Sequence, residues 1–311
     1  MSKRPDFVIA GAARCGTTAL FEYLSQHPSV FMPREKEPGF FSSDVPGGLT
    51  SLDEYRALFA AAPPQAVAGE ASTRYLYSRV AVARLLAHNP RVKVIVMLRH
   101  PVEAAQSLHG YAYRYRREQH ADFEAAWRAQ AQSSATPEGL LVEYDYPATY
   151  RYAEQVARVL KQVPAPQRHF VVAEEFFADP SAQFARILAF LGLSAVPARA
   201  FPVVNQYVGV RSAGLERFLR QPPALLRRLH APLRPLLRAI GWRPEQTLGQ
   251  LNWAHRQKPP LRPAFRVELE RYFAADIAEL ERLLGRRLWS APAAGRSGSS
   301  GAPHPTVADG R

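Results

Sequence analysis

Apolar positions along this 311-residue chain fall into two patterns: short unbroken runs and stretches at helical spacing. Phe7 to Ala10 is an unbroken run, as in a strand buried on both faces. A turn from Gly11 to Gly16 follows. The stretch from Thr17 to His27 carries Leu20, Phe21 and Leu24 at helical spacing, and Pro28 stands just past its end. The same alternation repeats downstream. Helical spacing covers 52–60 and 80–87, with a weak strand at 67–70 between them. Lys93 to Leu98 is the strongest strand, apolar enough for the centre of a parallel sheet. Pro101 suits the first position of a helix running to about Tyr115. Helices are predicted over 121–131, 148–163 and 180–191, with a strand at 169–173.

Strands alternating with helices predict an α/β fold: a P-loop-like three-layer α/β/α arrangement around a central parallel sheet. After residue 200 the strand pattern stops, and a mainly helical C-terminal part is expected. Pro263 to Leu284 is amphipathic, with Leu269, Tyr272, Phe273, Ile277, Leu280 and Leu284 on one face. The expectation is a single domain over 1–290, with its α/β core at about 5–200 and an Arg-rich helical extension at about 201–290. The Gly, Ser, Pro and Ala tail at 291–311 reads as disordered.

Composition narrows this further. Forty Lys and Arg against 27 Asp and Glu give a formal net charge of +13, which points to an anionic partner. The single cysteine, Cys15, excludes an internal disulfide and a cysteine-rich zinc site. No run approaches the roughly 20 apolar residues of a bilayer span, and Phe7 to Ala10 is too short for a signal-peptide core. A cytoplasmic protein is the expectation.

The turn Gly11-Ala-Ala-Arg-Cys-Gly16-Thr17-Thr18 has the G-x-x-x-x-G frame of a phosphate-binding loop. Small residues there let backbone N–H groups converge on an anion at a helix N-terminus. Thr18 holds the usual Ser/Thr position, but Thr17 stands where a nucleotide hydrolase has Lys. Arg14 is the only cation inside the loop. The strand ending at Leu98 leads into Arg99, which cannot hold Mg²⁺ but can bind a second phosphate bidentately. Ser107 lies about two helical turns further on. Glu174 and Glu175, after the 169–173 strand, are the alternative metal-holding acids, or simply solvated carboxylates. Glu37, within Arg34-Glu35-Lys36-Glu37-Pro38-Gly39-Phe40-Phe41, follows the first helix and could take a proton from an attacking hydroxyl or amine. A charged surface turn is the other reading of that segment.

From Gln206 to Arg243 there are eight Arg and one acid, a net of +7 (8 − 1), interleaved with leucines. This stretch could be a solvated helical hairpin, a site for an acidic glycan, or a surface for anionic membrane carrying a lipid-linked acceptor. Tyr111, Tyr113, Arg114, Tyr115, Arg116 and Arg117 make a second basic and aromatic cluster, which suits sugar or aromatic acceptors. Three function classes stay open on the residues alone. They are transfer chemistry on a phosphosulfate, a P-loop small-molecule kinase using Glu174 or Glu175, and a non-enzymatic binder of nucleic acid or membrane. No recognisable nucleic-acid module supports the last.

Four segments together resemble the PAPS-dependent sulfotransferases of the Golgi carbohydrate (heparan-sulfate-type) and bacterial branch. They are Arg14-Cys15-Gly16-Thr17-Thr18 with His27-Pro28 and Lys36-Glu37-Pro38-Gly39-Phe40-Phe41; Leu98-Arg99-His100-Pro101 with Ser107; Gly69-Glu70-Ala71-Ser72-Thr73-Arg74-Tyr75-Leu76; and Glu174-Glu175 through Phe190-Leu191-Gly192-Leu193. The resemblance implies 3′-phosphoadenosine 5′-phosphosulfate (PAPS) as sulfuryl donor, with no metal required. Arg14, Cys15, Gly16, Thr17 and Thr18 would cradle the 5′-phosphosulfate. Arg99 and Ser107 would bind the 3′-phosphate, with Arg256 from His255-Arg256-Gln257-Lys258-Pro259-Pro260 as a further contact. Glu37 would be the general base, with Arg14 assisting, and a glycan or glycolipid the acceptor. The chain departs from the pattern at Arg14, where Lys is common, at Gly39, often His, and at Ala71, often Lys.

Overall fold

The computed structural model describes residues 3–115, 117–131, 145–195, 208–210, 253–255 and 258–289. Five strands form one parallel sheet: β1 (Phe7–Gly11), β2 (Val30–Phe31), β3 (Val67–Ala71), β4 (Lys93–Leu98) and β5 (Arg168–Val172). Their order is β2-β3-β1-β4-β5. All of β1 and all of β4 except Lys93 is buried, as their unbroken apolar runs require. Strand order reverses at β1, whose neighbours are β3 on one side and β4 on the other. In open parallel sheets the crevice beyond the carboxyl end of such a strand is where ligands bind.

Helices flank the sheet. Helix α1 (Thr17–Ser25) buries Leu20, Phe21 and Leu24, the residues its spacing singled out. It stops two residues short of the expected end because His27 turns inward. The His27 Nδ1 accepts from Ser29 N at 3.1 Å, so Nε2 carries the proton towards Ser194 O at 3.2 Å. Next along the chain come α2 (Leu52–Ala57), α3 (Arg74–Tyr77) and α4 (Ala81–His88). Helix α5 (Pro101–Arg114) starts with its proline in the first turn, and α6 (Phe123–Ala131) follows.

The single helix expected over 148–163 is two: α7 (Tyr146–Thr149) and α8 (Tyr152–Gln162). The break has a cause in tertiary structure. Asp276 accepts from Tyr152 N at 2.8 Å and Ala153 N at 3.1 Å, capping a fresh helix start. Helices α9 (Ala173–Ala178) and α10 (Pro180–Leu191) follow β5. Strand pairing does not end at residue 200: β6 (Val208–Val210) pairs antiparallel with β7 (Trp253–His255). Three-residue strands 40 or more residues apart leave no periodicity to read. Asp276 lies on α11 (Pro263–Leu284), which packs on α8 and α5 and buries Phe265, Leu269, Phe273 and Leu280. Tyr272, expected on that face, is 45% exposed, and Phe265 takes its place in the core. Among the described residues, no helix is long and apolar enough to cross a membrane.

Candidate active site

The loop after β1 lies at the strand-order reversal. Gly16 is the N-cap of α1 at φ 93, and a Cβ there would meet the Phe177 ring at 3.0 Å, so glycine fits the position. No side chain caps α1. The first-turn N–H groups of a helix have no intrahelical partner and attract an anion. Thr17, Thr18, Arg14, Lys36 and Glu37 all line one cavity of about 250 Å³.

Arg14 adopts left-handed backbone geometry, φ 62. Its Nε donates to Ser107 Oγ at 3.2 Å, and its guanidinium lies 5.0 Å from the Tyr111 ring centroid. Arg99 Nη1 donates to Arg14 O at 3.4 Å. The two expected anion sites are therefore continuous, with Arg14 touching members of both. Burial pulls the Arg14 pKa down from its ordinary value, but a guanidinium stays charged at neutral pH. Tyr111, which the sequence pattern assigned to an aromatic acceptor cluster, serves here as a platform for the loop cation.

The Cys15 side chain turns inward. Its thiol is buried within reach of Tyr152 Oη at 3.4 Å, and burial pushes the thiol up to about 12. Its backbone N–H is engaged too, donating to Ala12 O at 3.3 Å. Its thiol shapes the loop from the core side. Tyr150 fastens the same loop by donating to Ala13 O at 3.1 Å.

Glu37 stands at φ 66, also left-handed. Its Oε2 accepts from Thr73 N at 2.7 Å and Thr73 Oγ1 at 3.1 Å, and its Oε1 faces Lys36 Nζ at 2.6 Å. Its own N–H donates to Ala71 O at 2.9 Å. This is an ordered carboxylate held against the end of β3. It sits across the cavity from the loop cation and could accept a proton there. Thr73 was not singled out by the sequence as an anchor. The signal lay in the Gly69–Leu76 segment, whose role appears only once β3 is placed beside β1.

Glu174 and Glu175 do not line this cavity. Glu174 accepts from His100 N and Trp289 Nε1, each at 3.0 Å, while Glu175 pairs with Arg286 at 2.6 Å. They are not simply solvated, as one reading had it. They hold the C-terminal segment to the sheet. Arg256, Arg116, the 291–311 tail and nearly all of 206–243 lie outside the described residues. Among the described residues no group of three or more His, Cys, Asp or Glu is arranged to hold a metal.

Comparison with known proteins agrees with this geometry. The family model described as "Sulfotransferase domain" matches residues 4–207. The chain is similar to human (Homo sapiens) heparan sulfate glucosamine 3-O-sulfotransferase 6, at 28% identity over 274 residues, covering 79% of this chain and 73% of that protein. It is also similar to human heparan sulfate glucosamine 3-O-sulfotransferase 3B1, at 29% over 194 residues, covering 62% of this chain and 47% of the relative. Among solved structures, the sulfotransferase from Alicyclobacillus acidocaldarius superposes with a TM-score of 0.70 at 27% identity, covering 92% of this chain and 98% of that one.

Proposed function

This chain belongs to the sulfotransferase family, and on that footing we propose that it moves a sulfuryl group from PAPS to a hydroxyl or amine of a glycan, with Glu37 as general base. The observation that carries the reading is the shared cavity: Glu37, Arg14, Thr17 and Thr18 face one space. The glycan class is supported by the relatives, whose names specify glucosamine in heparan sulfate. The residues also fit the donor, because an uncapped helix N-terminus, two hydroxyls and a buried cation converge where a phosphosulfate would lie.

PAPS supplies the sulfuryl group when bound. Glu37 accepts the acceptor's proton as its oxygen or nitrogen bonds to sulfur. The bond from sulfur to the 5′-phosphate oxygen breaks, and 3′,5′-ADP departs. Arg14 and the α1 N-terminus meet the negative charge that gathers on that leaving oxygen. Sulfuryl transfer resembles phosphoryl transfer in its loose, in-line transition state, so positioning and charge stabilisation do most of the work. Thr73 and Lys36 fix both oxygens of the Glu37 carboxylate, which limits the reorganisation needed at the proton transfer. Arg99 and Ser107 act on the 3′-phosphate and separate PAPS from ordinary adenylates.

Calorimetry tests the donor. The protein should bind 3′,5′-ADP more tightly than ATP, and Arg99→Ala should lose most of that preference. A preference for ATP would sink the reading and favour a kinase.

A further inference from the structure

Behind the cavity wall lies a second carboxylate that the reaction does not use. Glu70 on β3 is completely buried. Its Oε1 accepts from Tyr55 Oη at 3.3 Å and its Oε2 from Ser72 Oγ at 2.8 Å. A hydroxyl has one proton to give. Since Ser72 gives it to Glu70, its lone pairs are free for Gly39 N, which donates to Ser72 Oγ at 2.9 Å. Gly39 closes the turn that presents Glu37, and both residues are left-handed, at φ 62 and φ 66. A non-glycine residue in that region is strained, so neighbouring bonds must hold it. Four of those bonds come from the end of β3, through Ala71 O, Ser72 Oγ, Thr73 N and Thr73 Oγ1, while Leu49 N and Ser42 donate to the carbonyls of Pro38 and Gly39 from the other side.

We propose that Glu70 is a positioning residue for Glu37, acting through the Ser72 hydroxyl and the left-handed turn at residues 37–39. A buried acid is an expensive way to orient one serine, because apolar packing alone would be cheaper. Its use here makes sense if the direction of the Ser72 hydroxyl matters. Glu70→Ala would free that hydroxyl to rotate and weaken the acceptor that Gly39 N–H uses.

The groups facing Glu70 are hydroxyls: Tyr55 from α2, Tyr75 from α3 and Ser72. Burial pushes the Glu70 carboxyl up to about 7, and the Glu37 charge pushes the same way against the hydroxyls around it.

The inference rests on Glu37 being the base, yet the two can fail separately. The Thr73 amide resonance, followed in the full chain by NMR, reads the positioning without any acceptor. In Ser72→Ala and Glu70→Ala the Thr73 amide should move upfield as its bond to the Glu37 carboxylate lengthens. Glu70→Gln keeps the shape and should largely restore the amide. Ser72→Ala removes little volume and keeps the test available if Glu70→Ala does not fold. An unchanged Thr73 amide in Ser72→Ala overturns the inference. The base reading is judged by a different result, the turnover of PAPS by Glu37→Gln.

Discussion

Glu37 and Arg14 both sit in backbone conformations that their side chains disfavour, and both face the same cavity. Strain at paired positions across a cleft is expected where geometry serves chemistry. Glu37→Gln should therefore leave 3′,5′-ADP affinity near wild type while lowering turnover by about 10²–10⁴-fold, the usual worth of a general base. Steady-state transfer rates beside calorimetry separate the two effects. Cys15 gives an independent check on the loop. With its thiol buried and pushed up to about 12, the native protein should resist thiol reagents at pH 8 and react once unfolded. Most of the candidate site was legible in the sequence because its residues sit in short contiguous motifs, as Arg14 to Thr18 and Lys36 to Phe41 do. Thr73 and Glu70 were not, because Thr73 meets Glu37 from 36 residues away and Glu70 touches Ser72 rather than Glu37, an arrangement that depends on the segment after β2 lying against the end of β3. The inward turn of the Cys15 thiol was hidden for a related reason: a loop's spacing does not say which of its side chains face the core.

Helix α8 starts where it does because of a carboxylate from α11. Asp276→Ala should remove two acceptors from that start and cost about 1–2 kcal/mol, measurable by denaturant unfolding. The same helix pairing explains why periodicity merged α7 and α8 into one segment: the signal that divides them lies more than a hundred residues away. A second tie joins α11 and its approach to α5. Burial pushes the Glu103 carboxyl up, but Lys258 at 2.7 Å and the pairing with Arg266 outweigh it and hold the group at about 2. The folded value lies below the ordinary 4.5, so this tie stabilises the protein above about pH 4.5. Its contribution is lost as pH falls from there towards 2. Acid unfolding followed by circular dichroism should show a slope in that window which flattens in Glu103→Gln. An unchanged slope would mean that the charges contribute nothing net.

The molecule as a whole places its loop at the reversal of strand order in a parallel sheet, the position such folds use for ligands. The parallel sheet was visible from the unbroken apolar runs at Phe7–Ala10 and Lys93–Leu98, but its strand order was not. The pairing of β6 with β7 was not, since three residues carry no period. The formal +13 charge is more than the donor loops require, and at least +7 of it falls in 206–243. A polyanionic glycan would use such an excess. Retention on immobilised heparan sulfate should then weaken steeply as salt rises, as screening of surface charges demands. Salt-independent retention would argue against a polyanion.

Sulfuryl transfer itself is tested by supplying PAPS labelled in its sulfate to the full chain with heparan sulfate as acceptor. Label should appear in the glycan in step with release of 3′,5′-ADP, and should fall to background with Glu37→Gln. Label that never leaves PAPS for the glycan, or transfer that proceeds undiminished with Glu37→Gln, would contradict the proposed reaction.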